Sequence, residues 1–295
     1  RWCLSQKRSH GAVGPRAVRG SGSTTRTFSL ASRPMSLHDA YARLTPFELA
    51  FPDFDAVDQL IADITEEASG RGSDPANPSV FITMGSVGQF IARLQEPDAP
   101  PESIHQYGAL VYHAAFFRDE GCPVYVLDAA TARYLVEGSP SGEATPPTSS
   151  GYLQLPQHLF WVAGGPDEAP ESIDGFFWKA SRSGTLYVLA ATGVMPGRPG
   201  FGTIPVPEAP IAEAGAWLNT DARGEGTDFS SALPGADIDG LYAVEAAGEV
   251  LKLLARFFAY LDSAPGAAVP GEGPAQDGQD PPPSVLPFSR VVLDG

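Results

Sequence analysis

The stretch from Leu153 to Val194 constrains the fold of this chain more than any other. It reads Leu155-Pro156-Gln157-His158-Leu159-Phe160-Trp161-Val162, then Gly175-Phe176-Phe177-Trp178-Lys179-Ala180, then Thr185-Leu186-Tyr187-Val188-Leu189-Ala190. Three short β-type runs, parted by turn formers, predict an antiparallel meander. Arg182-Ser183-Gly184 suits a tight hairpin between the last two runs. Alternation along the middle run sets Phe176, Trp178 and Ala180 on one face and Phe177, Lys179 and Ser181 on the other. The first run is apolar on both faces, which predicts a central position.

The N-terminal part reads as helical. Ser36 can cap a helix through about Leu44. Thr45-Pro46-Phe47-Glu48 has the form of a capping box with proline in the first turn. Val57, Leu60, Ile61 and Ile64 follow at helical spacing, and Gly70 is the expected stop. Val80 to Thr83 reads as a short strand. Val87, Phe90, Ile91 and Leu94 form another helical stripe, and Ser103 to Asp119 the next helix, with Ile104, Tyr107, Val111 and Ala114 inward. Pro123 to Leu127 reads as a strand, and Ala132 to Val136 as its hairpin partner or a short helix. Gly138 to Ser150 reads as a flexible loop.

After the meander, 195–210 is a Pro/Gly-interrupted connector, 211–217 a short helix and 221–236 a polar loop. The longest helix is expected over about Asp239 to Asp262, with Leu241, Val244, Leu251, Leu254, Phe258 and Leu261 buried. Residues 264–283 are rich in Gly and Pro and predict disorder. Val285 to Leu293 could add an edge strand. The expected fold class is therefore α+β: a helical N-terminal part packed on a small antiparallel meander, with a long C-terminal helix over one face. The expected organisation is a basic leader (1–34), one α+β domain (35–263) and a disordered tail carrying a terminal strand (264–295).

Charge separates the leader from the rest. Residues 1–34 carry seven of the 19 basic residues and no acid, which leaves 12 bases against all 35 acids, a net −23. Two readings fit: upstream sequence translated from a misplaced start, with Met35-Ser36-Leu37-His38-Asp39 as the natural beginning, or a transit peptide. The acidic body argues against direct nucleic-acid binding, which needs clustered Lys and Arg to displace counterions, and against an anionic membrane surface. No apolar run approaches the ~20 residues that span a bilayer. With Cys3 in the leader, Cys122 stands alone and no internal disulfide is expected. A cytoplasmic protein is the economical expectation.

No established catalytic motif is present. There is no phosphate-cradling loop, no dinucleotide fingerprint between strand and helix, no H-E-x-x-H and no paired C-x-x-C. Gly138-Ser139-Pro140-Ser141-Gly142 resembles a nucleophile elbow with Pro in the nucleophile's place. His105 and His113, eight residues apart on one helix, lie roughly 80° apart in projection. No metal or other cofactor is expected. A cryptic hydrolase-type site would need Cys122, Asp128 and His158 to converge. Asp167, Glu168, Glu171 and Asp174 form an acidic loop between two aromatic strands. With Trp161 and Trp178 as apolar anchors, it is the expected binding surface for a protein or a basic peptide. The alternatives are a solvated loop beside plain core tryptophans, and a structural protein whose oligomer buries the aromatic face.

At the meander and final helix the chain resembles the type V-A anti-CRISPR-like proteins. The likeness rests on Leu155-Pro156 opening an aromatic strand, Ile173-Asp174-Gly175-Phe176-Phe177-Trp178 after an acidic loop, Ile204-Pro205-Val206-Pro207, and the Leu/Phe-rich helix from Val250 to Leu261. It covers about half the chain. The chain lacks the basic C-terminal extension of the anti-CRISPR member. The resemblance implies a non-enzymatic bacterial or mobile-element protein that recognises a protein rather than DNA, with no catalytic residues to carry over.

Overall fold

The computed structural model describes residues 43–94, 103–138, 140–162, 170–194, 200–213, 242–244, 247–271 and 284–293, with 103–106 described by backbone alone. The leader and most of the helix expected from Ser36 lie outside these residues. Thr45 starts helix α1 (Pro46–Ala50) with the expected capping box: its hydroxyl accepts from the Glu48 amide, and the Glu48 carboxylate accepts from the Thr45 amide. Asp53 caps α2 (Phe54–Arg71), which buries Val57, Leu60, Ile64 and Ala68. It runs past Gly70 to Gly72, whose left-handed backbone (φ 63°) ends it.

Residues 78–81 form a single helical turn, α3 (Pro78–Phe81), and not a strand. Asn77 caps that turn and Pro78 starts it, signals that outweigh the β-branched residues. Helix α4 (Gly85–Leu94) follows, its first amides received by the Glu67 carboxylate. Then comes α5 (Ser103–Asp119).

Strand β1 (Val124–Leu127) leads into helix α6 (Ala129–Glu137), not into a hairpin partner. Asp128 caps that helix by accepting from the Thr131 amide at 2.7 Å. The helix is a crossover, so β2 (Ser150–Gln154), at the end of the segment read as loop, returns parallel to β1. Strands β3 (Phe160–Val162), β4 (Glu171–Ala180), β5 (Thr185–Thr192) and β6 (Gly202–Pro210) complete the aromatic region. A 3-10 turn (Ile211–Glu213) stands where a short helix was expected. Strand β7 (Tyr242–Val244) pairs in parallel with β3, so helix α7 (Ala247–Ser263) starts later than Asp239.

The sheet runs β6-β5-β4-β2-β1-β9-β8, with β3 and β7 branching from β4. Here β8 is Ala268–Pro270 and β9 is Ser289–Val291. The expected meander strands β3, β4 and β5 pair antiparallel in turn, and β6, within the segment expected to be a connector, adds a further antiparallel strand beside β5. The sheet as a whole is mixed, because β1/β2, β1/β9 and β3/β7 pair in parallel. Strand β9 is not an edge. It lies between β1 and β8, so segments 268–270 and 289–291 belong to the sheet.

Helices cover both faces. Register sets Tyr152 beside Phe177 and Leu189, and these pack with Phe117, Val111 and Tyr112 of α5 and the other N-terminal helices. Leu153, Phe176, Trp178, Val188 and Ile204 pack on the other face with Leu253, Leu254, Phe257 and Phe258 of α7 and Leu135 of α6. Gly151 stands opposite Trp178, where a Cβ would lie 2.3 Å from the indole. That position needs glycine so that the ring can lie flat across β2. No helix among the described residues is long and apolar enough to cross a membrane.

Candidate functional site

Pro156 to Trp161 forms the most unusual surface feature. The Leu159 amide closes a turn on the Pro156 carbonyl at 3.3 Å. Inside it His158 adopts a left-handed backbone (φ 60°), a conformation L side chains rarely take. His158 is exposed, and its carbonyl accepts the Trp161 indole N–H at 2.8 Å. The two rings stack at 5.8 Å and 25°. Partial burial and the nearby Arg43 charge lower the His158 pKa, which keeps its imidazole neutral at pH 7. Trp161 alternates with Phe160 and Val162, so those two enter the core while its indole stays half exposed.

Glu171 lies one register pair away, opposite Val162 on β4, and receives the Thr192 hydroxyl at 2.8 Å. Asp167 and Glu168 fall outside the described residues. The other two expected surface groups lie in the interior. Trp178 is 0% exposed, packed against Tyr125, Phe257 and Phe258, with its indole N–H on the Thr148 carbonyl. Its place on the inner face of a sheet covered by α7 removes it from any partner. Asp174 is turned inward at a bulge between Ile173 and Gly175, where it pairs with Arg43 and receives the Tyr152 hydroxyl. Arg43 also donates to the Leu155 carbonyl at 3.3 Å. Burial lowers the Arg43 pKa to about 10, so the guanidinium stays charged at neutral pH. Burial likewise raises the Tyr152 pKa, so the phenol stays protonated. This cluster fastens the segment before α1 to the sheet.

The expected hydrolase residues do not converge. Cys122 sits in the turn after α5, buried, with Arg118 Nη1 3.9 Å from its sulfur. Burial raises its pKa and holds the thiol protonated, which removes the nucleophilic form. Asp128 is committed to the start of α6, and His158 to Trp161. Among the described residues no group of three His, Cys, Asp or Glu side chains could hold a metal ion.

Sequence reasoning missed several polar groups. Glu48 is buried and takes three donors besides its own cap: the Ser284 hydroxyl at 2.6 Å, the Val285 amide at 2.6 Å, and the Leu286 amide at 3.2 Å join the Thr45 amide on one carboxylate. Its capping-box position signals one of these bonds and nothing in the local sequence signals the rest. Lys179 lies over Phe116 at 4.8 Å and donates to Ser149 Oγ, which in turn bonds Glu120. The serine bridges a cation and an anion, which is a structural arrangement. His113 is buried against Tyr112 and Phe177, its Nδ1 without a hydrogen-bond partner.

No protein-family model matches the sequence, and no curated protein matches it. Among solved structures, the crystal structure of AcrVA2 matches with a TM-score of 0.36 and 13% identity, over 83% of this chain and 81% of that one. That is a weak likeness, from which no role is transferred.

Proposed function

We propose that this protein is a non-enzymatic binding module that captures a protein or basic peptide at the His158–Trp161 corner. The observation that supports this reading is the left-handed His158, held exposed and stacked on Trp161. Strained backbone persists only where surrounding contacts enforce it, and such positions gather at functional sites. A half-exposed indole suits a Lys or Arg side chain laid over its ring. The acids that would add charge contacts are Asp167 and Glu168, in the segment that joins β3 to β4, and Glu171 at the start of β4, whose carboxylate also receives the Thr192 hydroxyl. An anti-CRISPR-like role is one specific form of this reading and rests on the sequence resemblance alone.

The test is a titration of the full chain with an arginine-rich decapeptide and a glutamate-rich control at low salt, read by tryptophan fluorescence. The basic peptide is expected to bind and the acidic one to fail. Trp161→Ala, and separately reversal of Asp167, Glu168 and Glu171 to Lys, should weaken binding at least tenfold with the urea midpoint unchanged. Equal binding by these variants would sink the surface assignment.

A further inference from the structure

We infer that the C-terminal segment Ser284–Leu293 is an exchangeable strand, and that a second copy of this chain can receive it in place of its own. The segment carries little internal structure and takes its hold from residues far away in sequence. At its start, Glu48 receives the Ser284 hydroxyl and the Val285 and Leu286 amides. Leu286 enters the core beneath the N-terminal helices. In its middle, Ser289–Val291 fills the slot between β1 and β8, parallel to one and antiparallel to the other. Val291 enters the opposite core. At its end, Thr131 Oγ1 donates to the Val291 carbonyl at 3.2 Å and the Tyr260 hydroxyl to the Val292 carbonyl at 2.8 Å. Every one of these receiving groups sits on an element that would present the same slot to a segment arriving from another molecule.

The connection to the preceding strand permits that arrival. Residues 272–283 include Gly273, Pro274, Gly278, Pro281, Pro282 and Pro283, and Ala275 is their only aliphatic side chain. Twelve residues at ~3.3 Å each reach up to ~40 Å, enough for the segment to leave one body and enter a neighbour. Because the same bonds form in either arrangement, the choice is set by concentration. The tethered segment has an effective concentration in the millimolar range, so the monomer dominates in dilute solution and reciprocal dimers accumulate as that range is approached. Opening the slot exposes β1 on one side and leaves β8 without its partner, so exchange is slow and speeds up on warming. The empty slot is also a receptor for an extended chain, recognised by main-chain pairing together with the pocket that takes Leu286.

The test uses the full chain and a fluorescein-labelled synthetic peptide of residues 282–295. The mixture is warmed to a few degrees below the unfolding midpoint, cooled, and passed over a sizing column with light-scattering detection. The labelled peptide should co-elute with the protein after warming, and the same peptide carrying Leu286→Asp and Val291→Asp should not. Without peptide, warming at millimolar protein should give a species of doubled mass that returns to monomer over hours on dilution. A Glu48→Gln chain should load the peptide several times faster, because its own segment opens more often. No incorporation and no doubled mass, in a chain that refolds fully, would overturn the inference. Equal loading by the double-Asp peptide would overturn it too.

Discussion

At the residue scale, two buried polar groups carry predictions about stability, one through pH and one through hydrogen bonding. His113 is 4% exposed and faces Tyr112, Phe177 and the Lys179 ammonium. Burial, and next the Lys179 charge, bring its pKa down to about 3 from an ordinary 6.5. The folded state therefore binds fewer protons than the unfolded one between these values. Stability is complete above pH 6.5 and is lost as pH falls toward 3. By pH 4 the loss from this one group is about 3 kcal/mol. Urea unfolding at pH 7 and pH 4 should show His113→Phe losing less than the wild type by that margin. A variant as acid-sensitive as the wild type would refute the assignment. Glu48 acts instead as an acceptor of hydrogen bonds. Its oxygens serve donors from two segments, so Glu48→Gln turns one acceptor into a donor facing other donors. The expected cost is about 2 to 4 kcal/mol, read as a shift in urea midpoint at pH 7.

At the element scale, the meander and its faces were legible because period-two alternation is strong in strands buried on both sides. The alternation places Trp178 and Phe177 on opposite faces, but it does not show that helices cover both faces and bury both rings. The capping box at Thr45 was legible for a similar reason: its signals are local. The parallel pairings were not, since nothing in Val124–Leu127 says which of its neighbours lies beside it. Asp128 before α6 and Asn77-Pro78 before α3 were cap signals that β-branched residues had obscured. The candidate site was legible only in part. Trp161 and Glu171 are partly exposed, whereas Asp174 reads as a loop acid in sequence and is in fact paired with the distant Arg43. The His158 conformation has no sequence signature at all. One element-scale consequence is testable at Gly151. An added methyl there meets the Trp178 ring, which is buried and packs against Phe257 and Phe258. Gly151→Ala should cost about 1 to 3 kcal/mol through forced displacement of the β2/β4 pair. A neutral effect on the urea midpoint would show that the ring can move.

At the scale of the whole molecule, two cores lie on opposite faces of one sheet and share its strands. Tyr152 and Leu153 are adjacent residues that serve different cores, as are Phe176 and Phe177. The segment from Ser284 to Leu293 binds the two layers a second time, through Glu48 on one side and Thr131 and Tyr260 on the other. Neither layer can therefore open without exposing the other's strands, and the molecule should unfold in one step. Two probes report on the layers separately. Cys122 is buried in the N-terminal helical core, so its reaction with a thiol reagent, in a Cys3→Ser background, follows that layer. Trp178 is buried against α7, so its fluorescence, with Trp2, Trp161 and Trp217 changed to Phe, follows the other. Both transitions should share one urea midpoint and one slope. Glu48→Gln weakens the tie at one end of the segment while leaving the shared strands intact, so both midpoints should fall together. If the Cys122 transition instead precedes that of Trp178, the shared strands do not couple the layers, and the terminal segment alone held them as one unit.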